Sequence, residues 1–229
     1  MSDGRRFGVT SLNVSVALIF RVYHDVMDLY LVRHGDTALG PDGLYPDPAH
    51  LSETGHAQAR ALALRLDRIA PHALITSGVL RADETAAPFV SSSGIRPVIV
   101  PGFDEIGIGD LRSRDPAIVK ARLAELPPRS DFSEYGGESS SKFAHRVIEA
   151  LHDEVLDRFD NGQRVAAIIH GGPINVILDW IDNGGFAGVL TRHILPASVT
   201  LLRRRSDGLH VIYESDTSHL NADGDGAAG

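Results

Sequence analysis

Three short segments of this 229-residue chain carry groups suited to chemistry on phosphorus. Leu31-Val32-Arg33-His34-Gly35-Asp36-Thr37 runs an apolar stretch straight into Arg-His-Gly. Thr76-Ser77-Gly78-Val79-Leu80-Arg81-Ala82 and His170-Gly171-Gly172 supply a second arginine and a second histidine. A neutral imidazole nitrogen is a good nucleophile near neutral pH, which makes His34 the candidate nucleophile. Arg33 and Arg81 can grip phosphoryl oxygens through forked, charge-assisted hydrogen bonds, and His170 adds a donor. In phosphoryl transfer, such positioning and charge stabilisation supply most of the catalysis. Gly35 lets the turn adopt backbone angles that a side chain would obstruct. Gly171 and Gly172 open a helix whose free N–H groups favour an anion.

These residues can meet only if each stands at the end of a strand in one sheet, because ligands bind beyond the carboxyl ends of parallel strands. The apolar patterning predicts strands over 28–33, 73–76, 96–100 and 165–169. A hairpin follows, with strands over 198–203 and 209–214 around Ser206-Asp207-Gly208. Helices are predicted over 52–69, with Ser52 as N-cap, and over 80–90. Further helices are predicted near 116–125, over 139–159 with its stripe Phe143, Val147, Leu151 and Val155, and over 174–181. Gly171-Gly172-Pro173 is read as the turn before that last helix. Strands alternating with helices point to an α/β fold, a three-layer α/β/α sandwich. Its central sheet is mostly parallel, with an antiparallel C-terminal hairpin.

Residues 1–26 read as an N-terminal extension outside the core, 27–215 as the domain, and 216–229 as a polar, frayed tail. The apolar run 14–20 is far shorter than the roughly 20 residues that span a bilayer, and no small-residue cleavage site follows it. A cytoplasmic protein is expected. The net charge of −8 argues against a general nucleic-acid or membrane-surface binder. The chain has no cysteine, which removes disulfides, thiolate nucleophiles and cysteine-based metal sites. No His-Glu-x-x-His spacing occurs, so neither a metal nor a cofactor is expected. Asn221-Ala222-Asp223-Gly224-Asp225-Gly226 imitates the start of a calcium loop but lacks the closing glutamate. Arg203-Arg204-Arg205 reads as an exposed sheet edge whose charges discourage pairing.

Taken together, the motifs resemble those of the histidine phosphatase superfamily, the group of cofactor-dependent phosphoglycerate mutases and related phosphatases. The resemblance spans roughly 28–214. It rests on the three segments above, on Leu51-Ser52-Glu53-Thr54-Gly55-His56-Ala57-Gln58-Ala59, on the continuation Asp83-Glu84-Thr85-Ala86, and on Gly136-Gly137-Glu138-Ser139. It implies that His34 becomes a phosphohistidine and that Arg33, Arg81 and His170 bind the transferred group. Within Phe103-Asp104-Glu105-Ile106-Gly107, it implies that Glu105 is the general acid, with Asp104 its rival if the alignment slips by one. A protonated carboxyl is needed to donate to the leaving oxygen. Thr37 would add a hydroxyl, and Gly171 a backbone contact, to the phosphate. Glu138 is read as a carboxylate that favours a helix dipole, outside the catalytic set.

Three places in the sequence depart from the family pattern. Gly40 stands where asparagine is frequent, Asp36 where Glu or Gln is common, and Asp110-Leu111 where an aromatic residue and Glu are usual. All three concern the substrate rim, which loops 38–50 and 101–135 would shape. The expected activity is metal-independent hydrolysis of a phosphomonoester on a small phosphorylated metabolite. Two alternatives stay open: a phosphoglycerate mutase-type phosphotransferase, and a non-catalytic module that binds a phosphorylated ligand or partner.

Overall fold

Six strands build one sheet: β1 (Met27–Arg33), β2 (Ala73–Thr76), β3 (Val98–Ile99), β4 (Arg164–Ile169), β5 (Val199–Arg205) and β6 (Gly208–Asp216). Their spatial order is β3-β2-β4-β1-β5-β6. The computed structural model describes residues 26–40, 44, 46–115, 117–119, 131–185 and 192–221. β1, β2, β3 and β4 run parallel, while β5 and β6 are antiparallel. Four longer helices accompany the sheet: α1 (Glu53–Ile69), α2 (Leu80–Ser93), α3 (Ser140–Leu151) and α4 (Gly171–Asn183).

The side-chain period of two along a strand divides the core into two clusters. Leu29 and Leu31 of β1, with Val165, Ala167 and Ile169 of β4, pack with Phe143, Val147, Val176 and Ile177 of α3 and α4. Their neighbours Tyr30, Val32, Ala166 and Ile168 pack with Leu62, Leu66, Ala82 and Phe89 of α1 and α2. β4 is apolar and buried from Val165 to Ile169 because both of its faces are covered. This is the expected α/β arrangement, with helices against both faces of a mixed sheet.

Several boundaries differ from expectation. β3 is only two residues long, and its Ile99 is exposed at the sheet edge. Pro97, just before it, has no N–H to offer a ladder. α2 continues to Ser93 through Pro88 and ends on Gly94 in the left-handed region, φ 71°. α3 becomes π-helical over His152–Leu156, so the expected single helix is two pieces. α4 starts at Gly171 rather than at 174, so Gly171 and Gly172 open the helix itself, where N–H groups have no intrahelical acceptor to lose.

The arginine run corrects the expected edge. β5 is paired on both sides, by β1 and by β6. Arg203 grips Asp28 on β1 through two bonds of 2.6 and 2.8 Å. Arg204 donates to the carbonyls of Leu156, the last residue of the π-helical stretch, and of Phe159 beyond it. The chain after Ser215 is also not frayed at once. β6 runs to Asp216, and a 3-10 turn, Ser218–Leu220, buries His219 beside Arg65 of α1. Of the helix expected near 116–125, 117–119 are helical, and 116 and 120–125 lie outside the described residues. So do residues 1–25 and nearly all of the calcium-like segment, 222–226.

Candidate active site

Register brings the three segments together. Arg33 on β1 pairs with Ile169 on β4, and Thr76 on β2 pairs with Ile168. The residues that follow, His34, Ser77 and His170, therefore emerge side by side at the carboxyl edge of the sheet. His34 N–H donates to the Ile169 carbonyl at 2.9 Å. The His34 and His170 rings meet edge to face, 5.1 Å between centroids.

One contact fixes which His34 nitrogen is available. Nδ1 lies 2.7 Å from the Gly35 carbonyl. A carbonyl can only accept, so Nδ1 carries the hydrogen and Nε2 keeps its lone pair. Arg81 Nε donates to that Nε2 at 3.3 Å. His34 is 7% exposed. Burial pushes its imidazole down to about 3; the Gly35 carbonyl opposes this, and the Arg81 and Arg33 charges add to it. The ring is neutral at physiological pH.

His170 is fully buried, and burial first, then the Arg81 charge, hold it well below its ordinary value. Its Nε2 meets Ser77 Oγ at 2.9 Å and Asp104 Oδ1 at 3.4 Å. Among the described residues, its Nδ1 and the Nε of Arg33 are buried without a hydrogen-bond partner. The Arg33 side chain runs past Gly171 to the Ile194 carbonyl, which NH1 reaches at 2.6 Å. Burial also lowers the Arg81 guanidinium, against the pull of Asp104 and Glu105.

Glu105 reaches the same edge from the loop after β3. Its Oε2 accepts from the Gly172 N–H at 3.0 Å, at the start of α4. A Cβ on Gly172 would lie 2.0 Å from Glu105 Oε1, so only glycine admits the carboxylate there. Asp104 is one step closer to His170, and its Oδ1 also accepts the Glu105 N–H at 2.6 Å. Thr37 stands apart: it is half-buried and its backbone bridges Leu51. Among the described residues, its hydroxyl makes no hydrogen bond to His34, Arg33, Arg81 or His170.

The reason for Gly35 differs from expectation. It is absent from the glycines with positive φ. Instead, a Cβ on it would come within 2.9 Å of the Gly55 carbonyl oxygen, and one on Gly55 within 2.0 Å of the Asp36 oxygen. The two glycines let the turn after β1 press against the first turn of α1. Ser52 joins the same junction, capping α1 by accepting from the Gly55 N–H at 3.0 Å and donating to Asp36 Oδ2 at 2.5 Å.

Residue types and spacing pass over Thr85 and Arg146 and make Glu138 a helix-dipole carboxylate, but Glu138 precedes the N-cap Ser139 and its oxygens meet Arg146 and the Gly107 N–H; all three residues support the site. Thr85 Oγ1 accepts the Gly35 N–H at 2.9 Å and donates to the Arg81 carbonyl at 2.7 Å. It ties the turn of His34 to the helix of Arg81. Glu138 and Arg146 hold the loop that carries Glu105. The only hint of these roles was that Thr85 and Glu138 lie inside the matched motifs.

A profile of the histidine phosphatase superfamily (branch 1) matches residues 29–217. The adenosylcobalamin/alpha-ribazole phosphatase of Escherichia coli is 27% identical over 66% of this chain and 77% of its own. A 2,3-bisphosphoglycerate-dependent phosphoglycerate mutase of Methylobacterium radiotolerans is 29% identical over 67% of this chain and 78% of its own. A mycobacterial glucosyl-3-phosphoglycerate phosphatase superposes with a TM-score of 0.67 at 22% identity, covering 84% of this chain and all of that one, 100%. Among the described residues there is no group of side chains able to hold a metal ion, and no helix is long and apolar enough to cross a membrane. With its motifs converging at one sheet edge and the profile running from β1 to the end of β6, the chain belongs to the histidine phosphatase superfamily.

Proposed function

We propose that this protein is a phosphatase that hydrolyses a phosphomonoester of a small metabolite through a phosphohistidine on His34. The observation that carries the reading is the bond from His34 Nδ1 to the Gly35 carbonyl, which leaves Nε2 as the nucleophile. In the first step Nε2 attacks phosphorus, the bond to the leaving oxygen breaks, and the Glu105 carboxyl gives that oxygen its proton. Arg33, Arg81 and His170 hold the phosphoryl oxygens, and the orphaned Arg33 Nε and His170 Nδ1 fit such an anion. The phosphorylated ring keeps its Nδ1 hydrogen, so it is cationic and a good leaving group. In the second step water attacks phosphorus, the Glu105 carboxylate takes its proton, and the nitrogen–phosphorus bond breaks. Inorganic phosphate departs and His34 is neutral again. Gly171 contributes its place at the helix start, where the backbone favours an anion.

Brief reaction with a phosphomonoester, an alkaline quench and detection of acid-labile phosphohistidine test this directly. The phosphoenzyme should appear in the wild type and be absent from His34→Ala. Retention of full turnover in His34→Ala would overturn the reading. Mutase relatives make the acceptor worth measuring: the trapped phosphoryl group should pass to water even when a phosphoglycerate is present.

A further inference from the structure

We propose that Arg146 and Glu138, neither of which touches His34, position the proton donor of the reaction. The inference rests on Glu105 being that donor. Its starting point is a single guanidinium with an unusual number of acceptors. Arg146 NH1 donates to the carbonyls of Gly102 at 3.0 Å and Asp104 at 3.2 Å, and NH2 reaches the Glu105 carbonyl at 3.4 Å. The loop that carries Glu105 is thus wrapped around one side chain of α3.

Glu138 locks that side chain and the far end of the loop together. Arg146 Nε and NH2 meet the two Glu138 oxygens at 2.9 and 2.7 Å, a forked pair. Glu138 Oε2 also accepts the Gly107 N–H at 2.8 Å, and the Glu138 N–H donates to the Gly107 carbonyl at 2.7 Å. Both ends of 102–107 are therefore tied to one ion pair. Burial alone would raise the Glu138 carboxyl, but Arg146 and the Gly107 N–H hold it below the usual carboxylate range, so the pair stays charged.

The same arginine lies over the Phe143 ring, 5.3 Å from its centroid. Phe143 is buried and packs against Gly172, whose N–H holds the Glu105 carboxylate. Backbone and side chain of Glu105 are thus referred to one rigid corner made by α3 and α4. Placement to a fraction of an ångström matters for a proton donor, because transfer requires hydrogen-bond reach to the leaving oxygen. Among the described residues, the other hydrogen bonds of Glu105 come from its own loop, with Ile106 and Asp104, and these move with it.

The test separates positioning from general damage by the leaving group. A p-nitrophenolate departs without a proton, whereas an alkoxide needs one. Full-length wild type, Arg146→Met, Arg146→Lys, Glu138→Gln and Glu105→Gln would be assayed with p-nitrophenyl phosphate and with an alkyl phosphate. Inorganic phosphate inhibition would report the phosphoryl site, and thermal melting would report folding. General acid catalysis is worth about 10²–10⁴-fold, so Arg146→Met should lose on the order of 10²-fold in kcat/KM against the alkyl phosphate and under about 10-fold in kcat/KM against p-nitrophenyl phosphate, a ratio that reports phosphoenzyme formation and not the later step in which Glu105 takes a proton from water. Inhibition by phosphate should be unchanged, Arg146→Lys should recover part of the loss, and Glu138→Gln should shift in the same direction by less. Equal losses of kcat/KM on both substrates, or none on either, would overturn the proposal, and Glu138→Gln decides the matter if Arg146→Met does not fold. If Glu105→Gln itself shows no selective loss, the assignment of Glu105 fails. A selective loss in Glu105→Gln alone removes only the positioning role.

Discussion

Arg81 Nε donates to His34 Nε2, the one ring nitrogen that the Gly35 carbonyl leaves with a lone pair. An incoming phosphorus must take the place of that donor on the lone pair. The guanidinium is then free to turn to the phosphoryl oxygens without leaving the site. Arg81→Ala should lower kcat/KM by about 10²–10³-fold, the usual cost of removing one donor from a developing anion. Arg81→Lys should recover little, since an ammonium cannot reproduce the fork. Steady-state kinetics with p-nitrophenyl phosphate would check both, and near-normal activity in the alanine variant would contradict the assignment.

Thr85→Val tests the link between the turn and α2. The substitution keeps shape but leaves the buried Gly35 N–H without its acceptor. An unsatisfied buried donor costs about 1–3 kcal/mol, which urea denaturation would measure. Activity should fall by more than that destabilisation explains at temperatures where the variant stays folded, because the His34 turn loses its tether. A variant as stable and as active as the wild type would show that the bond is dispensable.

Gly55→Ala adds a single methyl group at the tightest backbone approach beside the site, 2.0 Å from the Asp36 oxygen. Backbone cannot step aside as a flexible side chain can. A loss of about 1–3 kcal/mol in unfolding free energy is expected, as for an overpacked core. An unaltered melting temperature would mean that the turn relaxes freely. Gly94→Ala is the control for crowding, since nothing lies within 4 Å of a Cβ there, although its φ of 71° carries its own strain.

Acid should destabilise the fold through its buried imidazoles. Burial holds His34 at about 3 and His219 at about 4, the latter helped by the Arg65 charge. Unfolded histidine titrates near ~6.5. Between these limits the unfolded chain binds more protons, so stability is full above about pH 6.5 and falls as pH drops through 4 towards 3. Melting temperature followed against pH would show the decline, and His219→Gln should flatten the part above 4. A melting temperature constant over that window would refute the placement of these rings. The His34 nucleophile stays neutral throughout the same range, so no loss of kcat/KM centred near ~6.5 should come from it.

How much of this was readable from the chain depends on the reach of each interaction. β1, β2 and β4 are short apolar runs bounded by chemistry-bearing turns, and their edges fell where expected. The meeting of His34, Arg81 and His170 was legible because parallel strands deliver their ends to one edge. The β3 strand was overread, since a run of apolar residues does not say whether a neighbour strand covers it, and Ile99 lies exposed. The pairing of Arg203 with Asp28 spans the whole domain and has no local signature. Arg146 looked like any helical arginine, because its acceptors are carbonyls of a loop some 40 residues away, and a carbonyl is the same at every position. Gly35 was legible as a requirement but not in its cause, because the close partner is the backbone of Gly55.

β4 lies between β1 and β2, so the two strands made first do not hydrogen-bond to each other. During synthesis, the strand that bears His34 and the strand that leads to Arg81 each wait for the same late partner. Residues 164–170 bring that partner and the second histidine in one step. Until they are made, His34 lacks its neighbouring ring and the sheet lacks the strand that joins β1 to β2.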